Sequence, residues 1–196
     1  MSAPESAAPR PTSLFLSKAR LGVALLILSK GSFFLILILA FALFHGDGEA
    51  AARRALEPGR AFVFSLFLFA SSFSIWRAVV AAAADQASRA RGWLLATLGL
   101  GGIFLAGQTL EYRRLFSIDV TAGSGPFGQT FFVLTGFHGL HVLAGLVAIG
   151  LLAAFSKRGP FNAARREGLE AVALYWHFVD LVWVAIFSIV YLWGRA

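Results

Sequence analysis

Two imidazoles, His138 and His141, stand three residues apart in a stretch otherwise apolar enough to cross a bilayer, and a later apolar stretch carries Glu170, His177 and Asp180. Ionisable groups are expensive at membrane depth, so they face a bundle interior or a water-filled cavity and mark a site or pathway. Residues i and i+3 of a helix share a face. His138 and His141 can therefore offer two ring nitrogens to one metal or haem, or hydrogen-bond to neighbouring helices; spacing alone favours the second. Glu170, His177 and Asp180 share a face as well, at spacings of seven and three. Set opposite the two histidines they would resemble the carboxylate–histidine sites of four-helix bundles. Such sites, however, carry a Glu-x-x-His pair on each of two helices, and the pairs here are His-x-x-His and His-x-x-Asp. A self-neutralising His177–Asp180 pair that locks helix packing is the expected arrangement, with proton relay as the alternative, because histidine changes charge near neutral pH.

Other polar residues fit bland roles first. Gln108, Glu111 and Tyr112 close an apolar run and are followed at once by Arg113 and Arg114. Glu111 and Tyr112 read as interface residues, and the two arginines as candidates for lipid headgroup phosphates, since a guanidinium pairs well with phosphate. Lys30 sits inside the first apolar run, too deep to snorkel easily; it needs an acidic partner or a subunit interface. Ser71, Ser72 and Ser74 read as helix-packing residues. Trp76, Trp93, Trp176, Trp183, Trp193 and Tyr191 read mostly as aromatic belts at span ends.

The elements that must position these groups are membrane helices. The chain is 58% hydrophobic and 14% charged, with 20 phenylalanines, whereas a soluble domain is about a quarter charged. It has no cysteine, which excludes disulfides, thiolate catalysis and sulfur-ligated metal sites. The net charge of +7 is no nucleic-acid signature: the basic residues lie in short segments between apolar runs, where they set topology and meet anionic headgroups. Five runs reach the ~20 residues a spanning helix needs, over about 21–44, 61–84, 92–111, 127–155 and 169–193. The expected fold is all-α, a polytopic membrane helix bundle of five transmembrane helices over 21–196. Residues 1–20, rich in Ala, Pro and Ser near their start, read as a disordered tail. No connection is long enough to fold on its own, so function sits in the bundle or its partners. Basic residues of the N-terminal segment, second loop and fourth loop outnumber those on the other side. The expected orientation is a cytoplasmic N-terminus and a periplasmic or extracellular C-terminus.

Several motifs then point to one family. Phe132-Val133-Leu134-Thr135-Gly136-Phe137-His138-Gly139-Leu140-His141-Val142 and Tyr175-Trp176-His177-Phe178-Val179-Asp180-Leu181-Val182-Trp183 resemble the signatures of subunit III of the haem-copper oxidases. Gly107-Gln108 and Glu111-Tyr112 on the third helix agree, and Ala70-Ser71-Ser72 on the second matches more weakly. The chain resembles the five-helix bacterial form. The resemblance implies a bundle with a V-shaped, phospholipid-holding cleft in the bacterial plasma membrane. It implies no haem or copper in this chain, both residing in partner subunits. It also implies packing against catalytic subunit I, with support of stability and of sustained proton uptake during oxygen reduction to water. Glu111, Tyr112, His138, His141, Glu170, His177 and Asp180 would then build the polar lining of bundle and cleft, and Arg113 and Arg114 would hold headgroups. One position departs from the family: Ser29 is followed by Lys30, where the first helix of this form usually carries Ser followed by Glu. That reversal raises the alternative of a subunit III-like protein of a nitric oxide reductase. A free-standing membrane enzyme with a His/carboxylate metal site is the remaining alternative.

Overall fold

The computed structural model describes residues 18–44, 56–156 and 163–193. Five helices account for nearly all of them: α1 (Lys18–Phe44), α2 (Pro58–Ala83), α3 (Ala87–Phe116), α4 (Pro126–Phe155) and α5 (Ala163–Phe187), the last continuing as a π-helical turn over Ser188–Leu192. All five are long and apolar enough to cross a membrane, as their sequence runs predict. The longest have 30 residues, roughly 45 Å of helix, against a hydrocarbon core of roughly 30 Å. The expected tail over 1–20 lies outside the described residues except for 18–20, which already belong to α1. The basic loop residues Arg53, Arg54, Lys157 and Arg158 also lie outside them.

Local chemistry sets the helix ends. Pro58 and Pro126 occupy the first turns of α2 and α4, where a missing N–H removes no bond. Between α2 and α3 the chain reverses in three residues, with Asp85 at φ 59°, a conformation Asp tolerates better than most residues. Ahead of α4, Asp119 is at φ 58° and Gly125 at φ 116°. Ser124 ties that loop by donating to the Asp119 carbonyl (2.8 Å) and accepting the Thr121 N–H (2.8 Å). Gly128 follows because a Cβ there would collide with the Thr121 carbonyl oxygen.

α5 is the hub, packed against α1, α2 and α4. α2 and α3 form the most intimate pair; α3 also packs on α4, and α4 on α1. One side chain draws four helices together. Trp176 of α5, fully buried, donates its indole N–H to Ser71 Oγ of α2 at 3.0 Å. Its ring lies against Gly101 of α3 and Gly145 of α4. Two turns along, Trp183 donates to Ser65 Oγ at 2.8 Å, and Gly107 of α3 makes room for the Phe64 ring. Small residues let backbones approach where hydrocarbon gives no hydrophobic drive for association. Trp176, Trp183 and Tyr191 are thus core residues at 1% exposure or less, which corrects their reading as belt aromatics. Trp76 and Trp193 are exposed, as belt residues are.

Candidate functional site

Helix register brings a belt of polar groups to the middle of the bundle: Lys30 of α1, Ser72 of α2, His138 and His141 of α4, and His177 and Asp180 of α5, each 12 or more residues from its own helix's start. The two histidines of α4 do share a face, as their spacing predicts, but they do not converge on a common point. Both rings flank Phe34 of α1, at centroid separations of 6.2 Å for His138 and 5.0 Å for His141. His138 is buried, stacked on Trp183 at 5.0 Å and met edge-on by Phe104 at 6.0 Å. Neither of its ring nitrogens has a hydrogen-bond partner among the described residues. His141 is half-buried and turns Nδ1 back to its own helix, onto the Phe137 carbonyl at 2.7 Å. An acceptor carbonyl requires the proton on Nδ1. Tyr175 of α5 donates to the carbonyl of His141 itself, at 3.0 Å.

His177 and Asp180 are joined through a third residue instead of pairing directly. Ser72 Oγ lies 2.7 Å from His177 Nδ1 and donates to Asp180 Oδ2. The expected direct pair is therefore corrected to a His177–Ser72–Asp180 relay, with Ser72, expected only to pack helices, at its centre. The geometry follows from the fold: α5 lies against α2, which inserts a hydroxyl where the two α5 side chains, three residues apart, both reach. Asp180 is buried, and its Oδ1 has no partner among the described residues. His177 is exposed at the α2/α5 surface. Glu170, two turns away on α5, is half-buried and outside the relay.

A second cluster closes one end of the bundle. Glu111 is buried at 4% exposure and accepts the Glu57 backbone N–H at 3.3 Å. The Glu57 carboxylate in turn holds Arg114 at 2.8 Å and Arg60 at 3.1 Å. The two arginines read together in the sequence thus part company: Arg114 is committed to an ion pair across α2 and α3, while Arg113 is exposed. Tyr112 bonds Thr135 Oγ1 of α4 at 2.8 Å. Thr135 already gives its proton to the Phe131 carbonyl at 2.6 Å, so the tyrosine is the donor. Gln108, Glu111 and Tyr191 line a cavity of about 10 Å³ beneath this cluster. Tyr191 reaches it from the π-helical turn. Glu57, Ser65 and Ser72 were not legible as site residues because their value comes from the helix they face, not from their own neighbours.

The opposite end is held by Arg166 of α5 on Asp85 of the α2–α3 turn, and by Arg77 over the Trp93 ring at 5.5 Å. Lys30 is half-buried on the α1 stripe that also carries Phe33, Phe34, Leu37 and Phe41, and it makes no hydrogen bond or ion pair among the described residues. Between the C-terminal half of α1 and the N-terminal half of α4 a groove of about 330 Å³ runs past Leu37, Ala40, Phe44, Gln129 and Val133. The would-be metal ligands are thus separately engaged: His138 by aromatic rings, His141 by its own backbone, His177 and Asp180 by Ser72.

The family model described as cytochrome c oxidase subunit III matches residues 10–195. Among curated proteins, the probable cytochrome c oxidase subunit 3 of Mycobacterium tuberculosis is 39% identical over 127 residues, covering 65% of this chain and 63% of the relative. The cytochrome c oxidase subunit 3 of Thermostichus vulcanus is 34% identical over 179 residues, 89% of this chain and 87% of the relative. That of Synechocystis sp. is 35% identical over 178 residues, 87% and 74% respectively. Against the mycobacterial relative the chain spans a little under two thirds of its length.

Proposed function

The chain belongs to the cytochrome c oxidase subunit III family, and from that premise we propose that it is the accessory subunit III of a bacterial haem-copper terminal oxidase. It is a multi-pass membrane protein, placed in this reading in the plasma membrane with its N-terminus cytoplasmic and its C-terminus outside. It packs against catalytic subunit I, which holds haem and copper and reduces oxygen to water, and it carries no redox centre of its own. Its contribution is structural and electrostatic: it stabilises the complex, binds phospholipid and supports proton uptake over many turnovers.

The observation that carries this reading is the way the family-like motifs are spent inside the fold. Trp176, Trp183 and Tyr191 build the core, and His177, Asp180, Glu111 and Tyr112 each bind another helix. Residues used up in holding helices together serve a scaffold. The groove between α1 and α4 suits an acyl chain, with Arg113 exposed at the same end of the bundle for a headgroup phosphate.

Removing the chain from the purified oxidase tests the reading. The haem spectrum and the initial rate of oxygen consumption should stay near those of the intact complex, while activity decays faster during sustained turnover. Loss of a haem or copper signal in proportion to the chain removed would refute a purely accessory role. Lys30 in place of the family's usual carboxylate leaves one competitor in play, a nitric oxide reductase partner, which nitric oxide consumption by the same preparation would reveal.

A further inference from the structure

We infer that the cavity beneath the Glu57 cluster is a binding site for one water molecule, held by Tyr191, Gln108 and Glu111, and that this water couples the last turn of α5 to α3. The site is internal to the fold, so its test does not depend on which complex the chain joins.

Two buried polar groups at this end of the bundle have no hydrogen-bond partner among the described residues: Gln108 Nε2 and the Tyr191 hydroxyl. Tyr191 is 1% exposed and Gln108 9%. Buried polar atoms are almost always bonded, to protein or to ordered water. Both residues line the same cavity, with Glu111 as its third polar side chain and Arg60 at its edge. The neighbouring protein donors are already spent. Arg60 reaches the Glu57 carboxylate at 3.1 Å, Trp183 gives its N–H to Ser65, and Tyr112 bonds Thr135.

Size and chemistry select the ligand. The cavity measures about 10 Å³, and one water needs roughly 10–15 Å³ by that measure. It takes a single water and excludes an acyl chain or a headgroup. A hard cation needs a fuller shell of oxygen ligands than three side chains give, and the Arg60 guanidinium would oppose it. An anion would face the Glu111 carboxyl. Water accepts two hydrogen bonds and donates two. It can take the Tyr191 O–H and the Gln108 N–H and give a proton to the second Glu111 oxygen, the first being held by the Glu57 N–H. Turning the Gln108 amide over puts an acceptor where the donor stood, and water serves that arrangement as well.

The backbone is shaped for the same purpose. Tyr191 stands in the π-helical turn Ser188–Leu192, an uncommon conformation that often marks a functional site. That turn brings the tyrosine to the cavity. The water then ties the end of α5 to α3 and, through Glu111 and Glu57, to the start of α2. Supply is short: Gln108 lies 8 residues from the end of α3 at Phe116, roughly 12 Å of helix, so a water enters from the interface without crossing the hydrocarbon core.

Radiolytic hydroxyl-radical footprinting tests the site on the full chain, purified from native membranes with any subunits that accompany it. A water held against a side chain yields the radical that oxidises that side chain. Tyr191 should be oxidised despite its burial and should take up heavy oxygen from isotopically labelled water. Trp176, equally buried and with its N–H on Ser71, should stay unmodified although indole is the more reactive ring. In parallel, Tyr191→Phe and Gln108→Leu should each lower the thermal midpoint. The double variant should lose less than the sum of the two, because both substitutions remove the same bridge. A Tyr191 as silent as Trp176, or strict additivity of the two losses, would overturn the inference.

Discussion

Adding one methyl group at Gly145 should destabilise the bundle by about 2–4 kcal/mol. A Cβ there would sit 2.7 Å from Cε3 and 2.8 Å from Cζ3 of Trp176, and 3.3 Å from the Tyr175 ring. The indole would have to retreat by several tenths of an ångström to recover ordinary contact, and the fold leaves it nowhere to go. On its far edge Gly101 lies so close that a Cβ would stand 3.1 Å from Cζ2 and Cη2, and the ring N–H is tied to Ser71 at 3.0 Å. Overpacking of this kind costs about 1–3 kcal/mol. Stretching a buried indole N–H off its only acceptor adds about 1 kcal/mol or more. The assay is reversible denaturation of the detergent-solubilised chain, with Gly145→Ala, Trp176→Leu and the double variant compared with wild type. Trp176→Leu empties the space the methyl would enter, so the double variant should be less destabilised than the sum of the singles, by about 1 kcal/mol or more. A Gly145→Ala protein within about 0.5 kcal/mol of wild type, or strict additivity in the double variant, would refute the keystone role given to Trp176.

Four other outcomes follow from the same structure. Asp180→Ala takes away the acceptor of the Ser72 hydroxyl and should destabilise by about 1–3 kcal/mol, measured by the same denaturation; wild-type stability would mean the relay is dispensable. Ser65→Ala strands the buried Trp183 N–H and should cost about 1–3 kcal/mol, whereas Ser65→Thr, which keeps a hydroxyl, should lose less. Arg60→Met removes a half-exposed partner of Glu57 and should change stability by no more than about 1 kcal/mol; a larger loss would show that the Glu57 cluster acts as a unit with Glu111. Lys30→Met removes a mid-bilayer charge with no acceptor among the described residues and should raise the thermal midpoint of the isolated chain, while a drop would show that the ammonium has a counter-charge.

The span pattern was legible because twenty apolar residues in a row answer to bilayer thickness alone. Their ends were not: α3 runs from Ala87 to Phe116, past Arg89, Arg91, Arg113 and Arg114, because charged residues at span ends extend the helix into the interface. The histidines and Asp180 were legible as groups needing satisfaction, but not their partners. Ser72 and Ser65 look like any small residue in a membrane helix until α5 is laid against α2, and only then does each hydroxyl meet a defined donor or acceptor. Trp176 and Trp183 look like interface anchors for the converse reason. Their amphipathic rings suit a membrane surface, but glycines on two other helices open a cavity that takes Trp176 inside. The parting of Arg113 from Arg114 turned on Glu57, which stands 54 residues before the Glu111 it also binds and which no local pattern connects to them.

We propose that this chain is a haem-free accessory subunit of a haem-copper oxidase. The most direct test is a gentle-detergent purification of the tagged chain from native membranes, read by reduced-minus-oxidised haem spectra and mass spectrometry of the partners. A haem-copper subunit I should be recovered in fixed ratio to the chain, with oxygen-reducing activity and with every haem assigned to the partner. Recovery of the chain alone, or of a chain that holds stoichiometric metal after its partners are stripped away, would contradict it.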